Sequence, residues 1–148
     1  MEAVAVEILL VEDSDTDLEL ALRALTQAKV ANRIEVARDG AEALDFLFSQ
    51  GSFAGRAADN PRLVMLDLKL PMVDGLEVLR AIKENPATRM IPVVVLTSSH
   101  EQRDMVESYN LGVNSYIVKP VDFDQFMAAV ADLGLYWMLL NRTPVTSQ

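Results

Sequence analysis

The 148-residue chain has no cysteine, a single tryptophan and a single histidine, and only 13 basic residues against 22 acidic ones. Without cysteine, a disulfide framework and a thiolate metal site are both excluded. The formal net charge of −9 argues against direct nucleic-acid binding, which needs clustered Lys and Arg to neutralise phosphates. No apolar run is long enough to span a bilayer, so no membrane association is expected. The N-terminal residues Met1–Glu7 lack a basic segment and a separate apolar stretch. The first apolar run, Ile8–Val11, ends at once in acids and reads as a core strand, not a signal peptide. The expected compartment is the cytoplasm.

What is present is an ordinary folded composition, 51% hydrophobic and 24% charged, sufficient for one globular domain. Short apolar runs alternate with helical patterns. Ile8–Val11 reads as a strand, followed by Leu18, Leu22 and Leu25 at helical spacing within Asp15–Ala28. Arg33–Ala37 alternates as a second strand. Asp39-Gly40 is turn chemistry, and Ala43, Leu44 and Leu47 form a helix face. Leu63–Leu66 is a third strand ending at Asp67, and Pro71 and Gly75 mark a loop before the helix with Leu76, Leu79 and Ile82. Pro92–Leu96 is a fourth strand, followed by a helix carrying Met105, Val106 and Tyr109 that stops near Gly112. Tyr116–Val118 is the fifth strand, and Asp122 is placed to cap a last helix starting with Phe123. Residues 50–62 read as a surface loop. Five strand–helix units with continuous apolar strands imply an α/β fold, a parallel sheet covered on both faces and doubly wound. Among the orders such sheets adopt, the flavodoxin-like 2-1-3-4-5 is the one expected here.

Polar residues follow the strands repeatedly: Glu12-Asp13, Asp67, Thr97 and Lys119. In an open parallel sheet the carboxyl ends of the strands share one edge, where ligands bind. Three clustered carboxylates suit a hard divalent cation, and oxygen ligands with room for water favour Mg²⁺. Lys119 can hold an anion, and Thr97 can donate to a phosphoryl oxygen. A carboxylate in this company is set up to accept a phosphoryl group. Each residue alone has a plainer explanation: Glu12-Asp13 as acids before a helix, Asp67 as a turn residue, Thr97 as a cap, Lys119 as a solvated lysine. Their coincidence at successive strand ends favours the chemical one.

At these residues the chain resembles the response-regulator receiver family. The resemblance rests on Ile8–Asp13, Leu66–Gly75, Pro92–Ser98 and Tyr116–Pro120 in order, and covers about residues 7–140. Glu12 in place of a first aspartate is a common variant. The resemblance implies that a histidine kinase phosphorylates Asp67. Glu12, Asp13, Asp67 and the backbone carbonyl of Lys69 would bind Mg²⁺, with Mn²⁺ able to substitute. Thr97 and Lys119 would engage the phosphoryl group, and Tyr116 would follow Thr97 inward and alter the surface of the fourth helix, fifth strand and fifth helix. Side chains at Lys69 and Ser99 would tune the lifetime of the phosphoryl group. Receivers are signalling proteins rather than enzymes in the usual sense, although they promote their own phosphorylation and dephosphorylation. The loop at 50–62, the stretch Ser108–Tyr116 and the ending Tyr136–Arg142 are similar to small receivers that serve phytochrome-type kinases.

The whole chain, 1–148, reads as one receiver with a short tail at 141–148 and no output domain. Leu135–Leu140 is apolar on every side, which on the last helix points to an interface. A homodimer is expected there, with Met105, Tyr109, Tyr136, Trp137 and Leu140 as candidate contacts. His100 reads as a surface residue near the start of the fourth helix. The competing reading is a phosphatase of the haloacid-dehalogenase type with Asp13 as nucleophile, from Asp13-Ser14-Asp15, but Asp17 stands where that motif wants Thr or Val. A calcium loop on Asp13, Asp15 and Asp17 fails because Leu18 replaces the required Gly. A flavodoxin-like cofactor site fails because Glu12-Asp13 would repel a phosphate.

Overall fold

The computed structural model describes residues 6–30, 33–56, 59–98, 104–107 and 110–135. Its elements are β1 (Ile8–Val11), α1 (Asp15–Gln27), β2 (Ile34–Ala37), α2 (Gly40–Leu47), β3 (Leu63–Asp67), α3 (Gly75–Glu84), β4 (Val93–Thr97), α4 (104–107), β5 (Ser115–Val118) and α5 (Phe123–Leu133). The strands form one parallel sheet in the expected order β2-β1-β3-β4-β5.

Side chains alternate across a strand, so each apolar run feeds both faces of the sheet. Ile8, Leu10, Met65, Val94 and Leu96 face one core with Leu25 of α1 and Phe126 of α5. Leu9, Val11, Val64, Leu66, Val93 and Val95 face the other with Phe46 of α2, Leu79 and Ile82 of α3 and Val106 of α4. Burial on both sides is why these runs show no polar alternation. Polar caps begin three of the helices. Ser14, Asp39 and Asp122 accept bonds from the backbone N–H groups of Asp17, Glu42 and Gln125.

Two expectations change. The loop at 50–62 contains a 3₁₀ turn, Gly51–Phe53. It is held down by the Phe53 ring, edge-on to Phe46 at 5.2 Å, and by the Arg56 guanidinium 4.0 Å over the Phe46 ring. Helix α5 closes before Leu135, whereas the sequence pattern carries the last helix past it. Gly134 adopts φ +68, and the N–H of Leu135 bonds back to the Val130 carbonyl at 2.9 Å, which closes α5. Leu135 then tucks into the core beside α1 and α5 and adds no exposed apolar face. Tyr136, Trp137 and Leu140 lie outside the described residues.

Candidate functional site

The sheet register assembles the site. Val11 pairs with Leu66, so Glu12 lies level with Asp67 on the neighbouring strand. Asp67 pairs with Leu96, and Thr97 with Val118, so Thr97 and Lys119 each stand one step further along the same edge. The carboxylates of Glu12, Asp13 and Asp67 offer oxygens that all lie within 4.8 Å of one another. Glu12, Asp67 and Thr97 are buried, whereas Asp13 is exposed at the mouth. Lys119 reaches in with Nζ 2.9 Å from Asp67 Oδ2, 3.1 Å from Asp17 Oδ2 and 3.6 Å from Glu12 Oε1.

One ammonium among these carboxylates leaves net negative charge in a crevice that is partly closed to water. Burial, helped by a hydrogen bond and repulsion from Asp67, pushes the Glu12 carboxyl up from 4.5 to about 8. For Lys119, burial alone would favour the neutral form. Asp67 foremost, with Asp17 and Glu12, overrides that, and the ammonium is held more firmly than in water. A buried carboxyl that retains its proton beside a lysine marks a site still short of positive charge. The donors are all hard oxygens, so the residues present fit a divalent cation of the Mg²⁺ or Mn²⁺ kind.

The loops around the crevice are tightly built. The N–H of Lys69 donates to Asp67 Oδ1 at 3.2 Å, and the N–H of Ser14 to Glu12 Oε2 at 3.2 Å. Gly75 begins α3 directly against the acceptor strand. A Cβ there would fall 2.3 Å from the Asp67 carbonyl oxygen, so only glycine fits. Arg38, at the end of β2, donates through Nε to the Glu12 carbonyl at 3.2 Å and through a terminal nitrogen to the Asp13 carbonyl at 3.0 Å. Arg38 and the Lys119 partner Asp17 were not among the residues the sequence pattern singles out for this site. A lone arginine before Asp-Gly reads as a solvated turn residue, and Asp17 reads as a first-turn acid.

The remaining candidates are placed as follows. The Lys69 side chain is exposed beside the site, and Ser99 lies outside the described residues. Tyr116 is half-buried on β5, packs against the core on the α2 and α3 side, and lines a cleft of about 240 Å³ with Val106, Leu111 and Val113. Met105 on α4 is 45% exposed. Tyr109 and His100 lie outside the described residues. No helix of the described residues is long and apolar enough to cross a membrane.

Residues 8–131 match the family model of the response regulator receiver domain. The solved bacteriophytochrome response regulator RtBRR is 54% identical, with a TM-score of 0.88 over 97% of this chain and 87% of that one. Response regulator Rcp1 of Synechocystis sp. is 40% identical over 88% of each chain. Its Mn²⁺-bound crystal form superposes with a TM-score of 0.70, at 37% identity over 97% of this chain and 100% of that one. A probable methanogenesis regulatory protein, FilR2 of Methanothrix harundinacea, is 45% identical over 93% of this chain and 86% of its own length. The match runs as a single receiver domain through both Asp13 and Asp67, which leaves the haloacid-dehalogenase reading without support.

Proposed function

The chain belongs to the response regulator receiver family, and from that premise we propose that Asp67 is the phosphoryl acceptor of a switch driven by a sensor histidine kinase. The observation that carries this is the Lys119 ammonium, 2.9 Å from the buried Asp67 carboxylate at the carboxyl edge of the sheet. An Asp67 carboxylate oxygen attacks phosphorus. The O–P bond forms as the P–N bond of the phosphohistidine breaks, and the electron pair returns to the imidazole nitrogen. Lys119 then turns from the carboxylate to a phosphoryl oxygen, and the Thr97 hydroxyl donates to another. Tyr116 follows Thr97, moving within the cleft it already lines, and reshapes the α4, β5 and α5 surface.

Glu12, Asp13, Asp67 and the backbone carbonyl of Lys69 would hold Mg²⁺, with Mn²⁺ as a substitute. When bound, the cation offsets charge on the transferring phosphoryl oxygens. The side chains of Lys69 and Ser99 govern how readily water reaches the acyl phosphate, and so set the rate of self-dephosphorylation. The same chemistry permits self-phosphorylation from small phosphodonors. The likeness to the bacteriophytochrome response regulator RtBRR supports a kinase of the phytochrome type as partner. A cytoplasmic site of action belongs to the same reading, and the net charge of −9 favours output through protein contacts rather than nucleic acid. Homodimerisation through the last helix and its neighbours, among which Met105 is exposed, is part of the proposal. Light scattering with and without a phosphoryl analogue tests it, and a monomer throughout would exclude it.

The kinase step is tested by phosphotransfer. A phytochrome-type histidine kinase is autophosphorylated with radiolabelled ATP and mixed with wild type or Asp67→Asn. Label should pass to the wild type within seconds to minutes and not to the variant. Transfer to Asp67→Asn would assign the acceptor elsewhere.

A further inference from the structure

We propose that Arg38 is a positioning residue for the divalent-cation site, an inference that rests on the site being the receiver crevice described above. Arg38 holds the β1–α1 loop by its backbone. Its guanidinium spans from the Glu12 carbonyl, at 3.2 Å, to the Asp13 carbonyl, at 3.0 Å, and also contacts the Asp15 carboxylate. Those carbonyls belong to the two residues whose side chains reach the crevice, so their orientation governs where both carboxylates point.

Arg38 is itself anchored. Its N–H donates to Glu42 Oε1 at 2.7 Å, and Ala37 before it accepts from the Glu12 N–H at 2.9 Å. Two residues on, the Gly40 N–H donates to the Pro71 carbonyl at 3.3 Å, and Gly40 packs so closely on Val73 that a Cβ would sit 1.8 Å from the Val73 oxygen. The β2–α2 turn therefore braces both loops flanking the cation site: the β1–α1 loop through the Arg38 side chain, and the β3–α3 loop through Gly40. The planar fork of arginine is suited to two carbonyls and a carboxylate together; a lysine can satisfy fewer of them at once.

Charge and geometry predict opposite signs here, which makes the idea testable. Arg38 is a cation beside an acidic cluster. By electrostatics alone its removal would tighten binding of a divalent cation. If its role is positioning, removal weakens binding. Mn²⁺ affinity is measured directly by electron paramagnetic resonance of free Mn²⁺ for wild type, Arg38→Met and Arg38→Lys, alongside acceptance of phosphate from acetyl phosphate as Mn²⁺ is raised to saturation. Arg38→Met should raise the Mn²⁺ Kd roughly tenfold, the low end for groups that orient metal ligands. Arg38→Lys should fall between, at about threefold. At saturating Mn²⁺ both variants should regain a near wild-type rate, because Asp67, Thr97 and Lys119 are untouched. Equal or tighter Mn²⁺ binding by Arg38→Met, or a rate deficit that survives saturation, would overturn the proposal. Should Arg38→Met not fold, wild-type affinity in Arg38→Lys would do the same. A wild type that binds no Mn²⁺ would instead refute the cation site itself.

Discussion

Glu12 makes cation binding a proton-release reaction, and the pH at which this happens follows from the structure. Its carboxyl is buried against Asp67 and titrates near 8 rather than 4.5. At pH 7 most molecules then carry the Glu12 proton, and a cation must displace it to use Glu12 as a ligand. The apparent affinity for Mg²⁺ or Mn²⁺ should rise close to tenfold per pH unit from about pH 6 to pH 8 and then level off. The same carboxyl affects stability without cation. Because its folded pKa is raised, the native chain holds the proton more tightly than the unfolded chain. The resulting stability is full below about pH 4.5 and is lost as pH rises through 8. Isothermal titration in two buffers of different ionisation enthalpy counts the protons released, with a net release expected at pH 7 that fades as pH rises past 8. Glu12→Gln, which cannot titrate, should give a flat profile over the same window. A flat wild-type profile between pH 6 and 8, or an unchanged slope in Glu12→Gln, would refute the reasoning.

Three further outcomes follow. Lys119→Met leaves Asp67, Glu12 and Asp17 without their shared ammonium, so the cation-free protein should lose about 3 kcal/mol, the scale of a broken buried pair. Chemical denaturation should show part of that loss recovered by Mg²⁺, while phosphoryl acceptance stays depressed on the order of a hundredfold. Gly75→Ala forces a methyl against the Asp67 carbonyl and the Leu68 backbone. It should cost about 1–3 kcal/mol by denaturant titration and slow phosphorylation even with cation saturating. Arg56→Met removes the guanidinium from the Phe46 ring and its 2.8 Å bond to the Phe46 carbonyl. It should lower stability by about 1–2 kcal/mol yet leave the phosphorylation rate unchanged, since the loop it pins is remote from Asp67 in the fold.

Much of this molecule is legible in its sequence because the sheet is buried on both faces. Runs such as Leu63–Leu66 and Val93–Leu96 have no use for polar residues until the strand emerges at its carboxyl edge, so the first polar residue after each run marks the site. That is how Asp67, Thr97 and Lys119 stand out, and the register then brings them together. Legibility ends where a contact depends on shape. Nothing adjacent to Arg38 indicates that its guanidinium spans two carbonyls some 25 residues earlier. Glu12 and Asp13 are neighbours of similar chemistry, yet only the first is buried. Asp17 faces Lys119 because α1 carries it over the crevice, a consequence of helix phase more than of residue type. The end of α5 is legible in Gly134, an ordinary helix stop, although the apolar run that follows it has the composition of a continuing helix.

The central claim is that Asp67 accepts the phosphoryl group with help from a divalent cation. Intact-protein mass spectrometry after incubation with acetyl phosphate and Mg²⁺, followed by peptide mapping, tests it most directly. One phosphoryl group should appear on the wild type, map to Asp67, and be absent both from Asp67→Asn and from wild type treated with EDTA. A phosphoryl group that persists in Asp67→Asn, or that forms equally well without cation, would contradict the account.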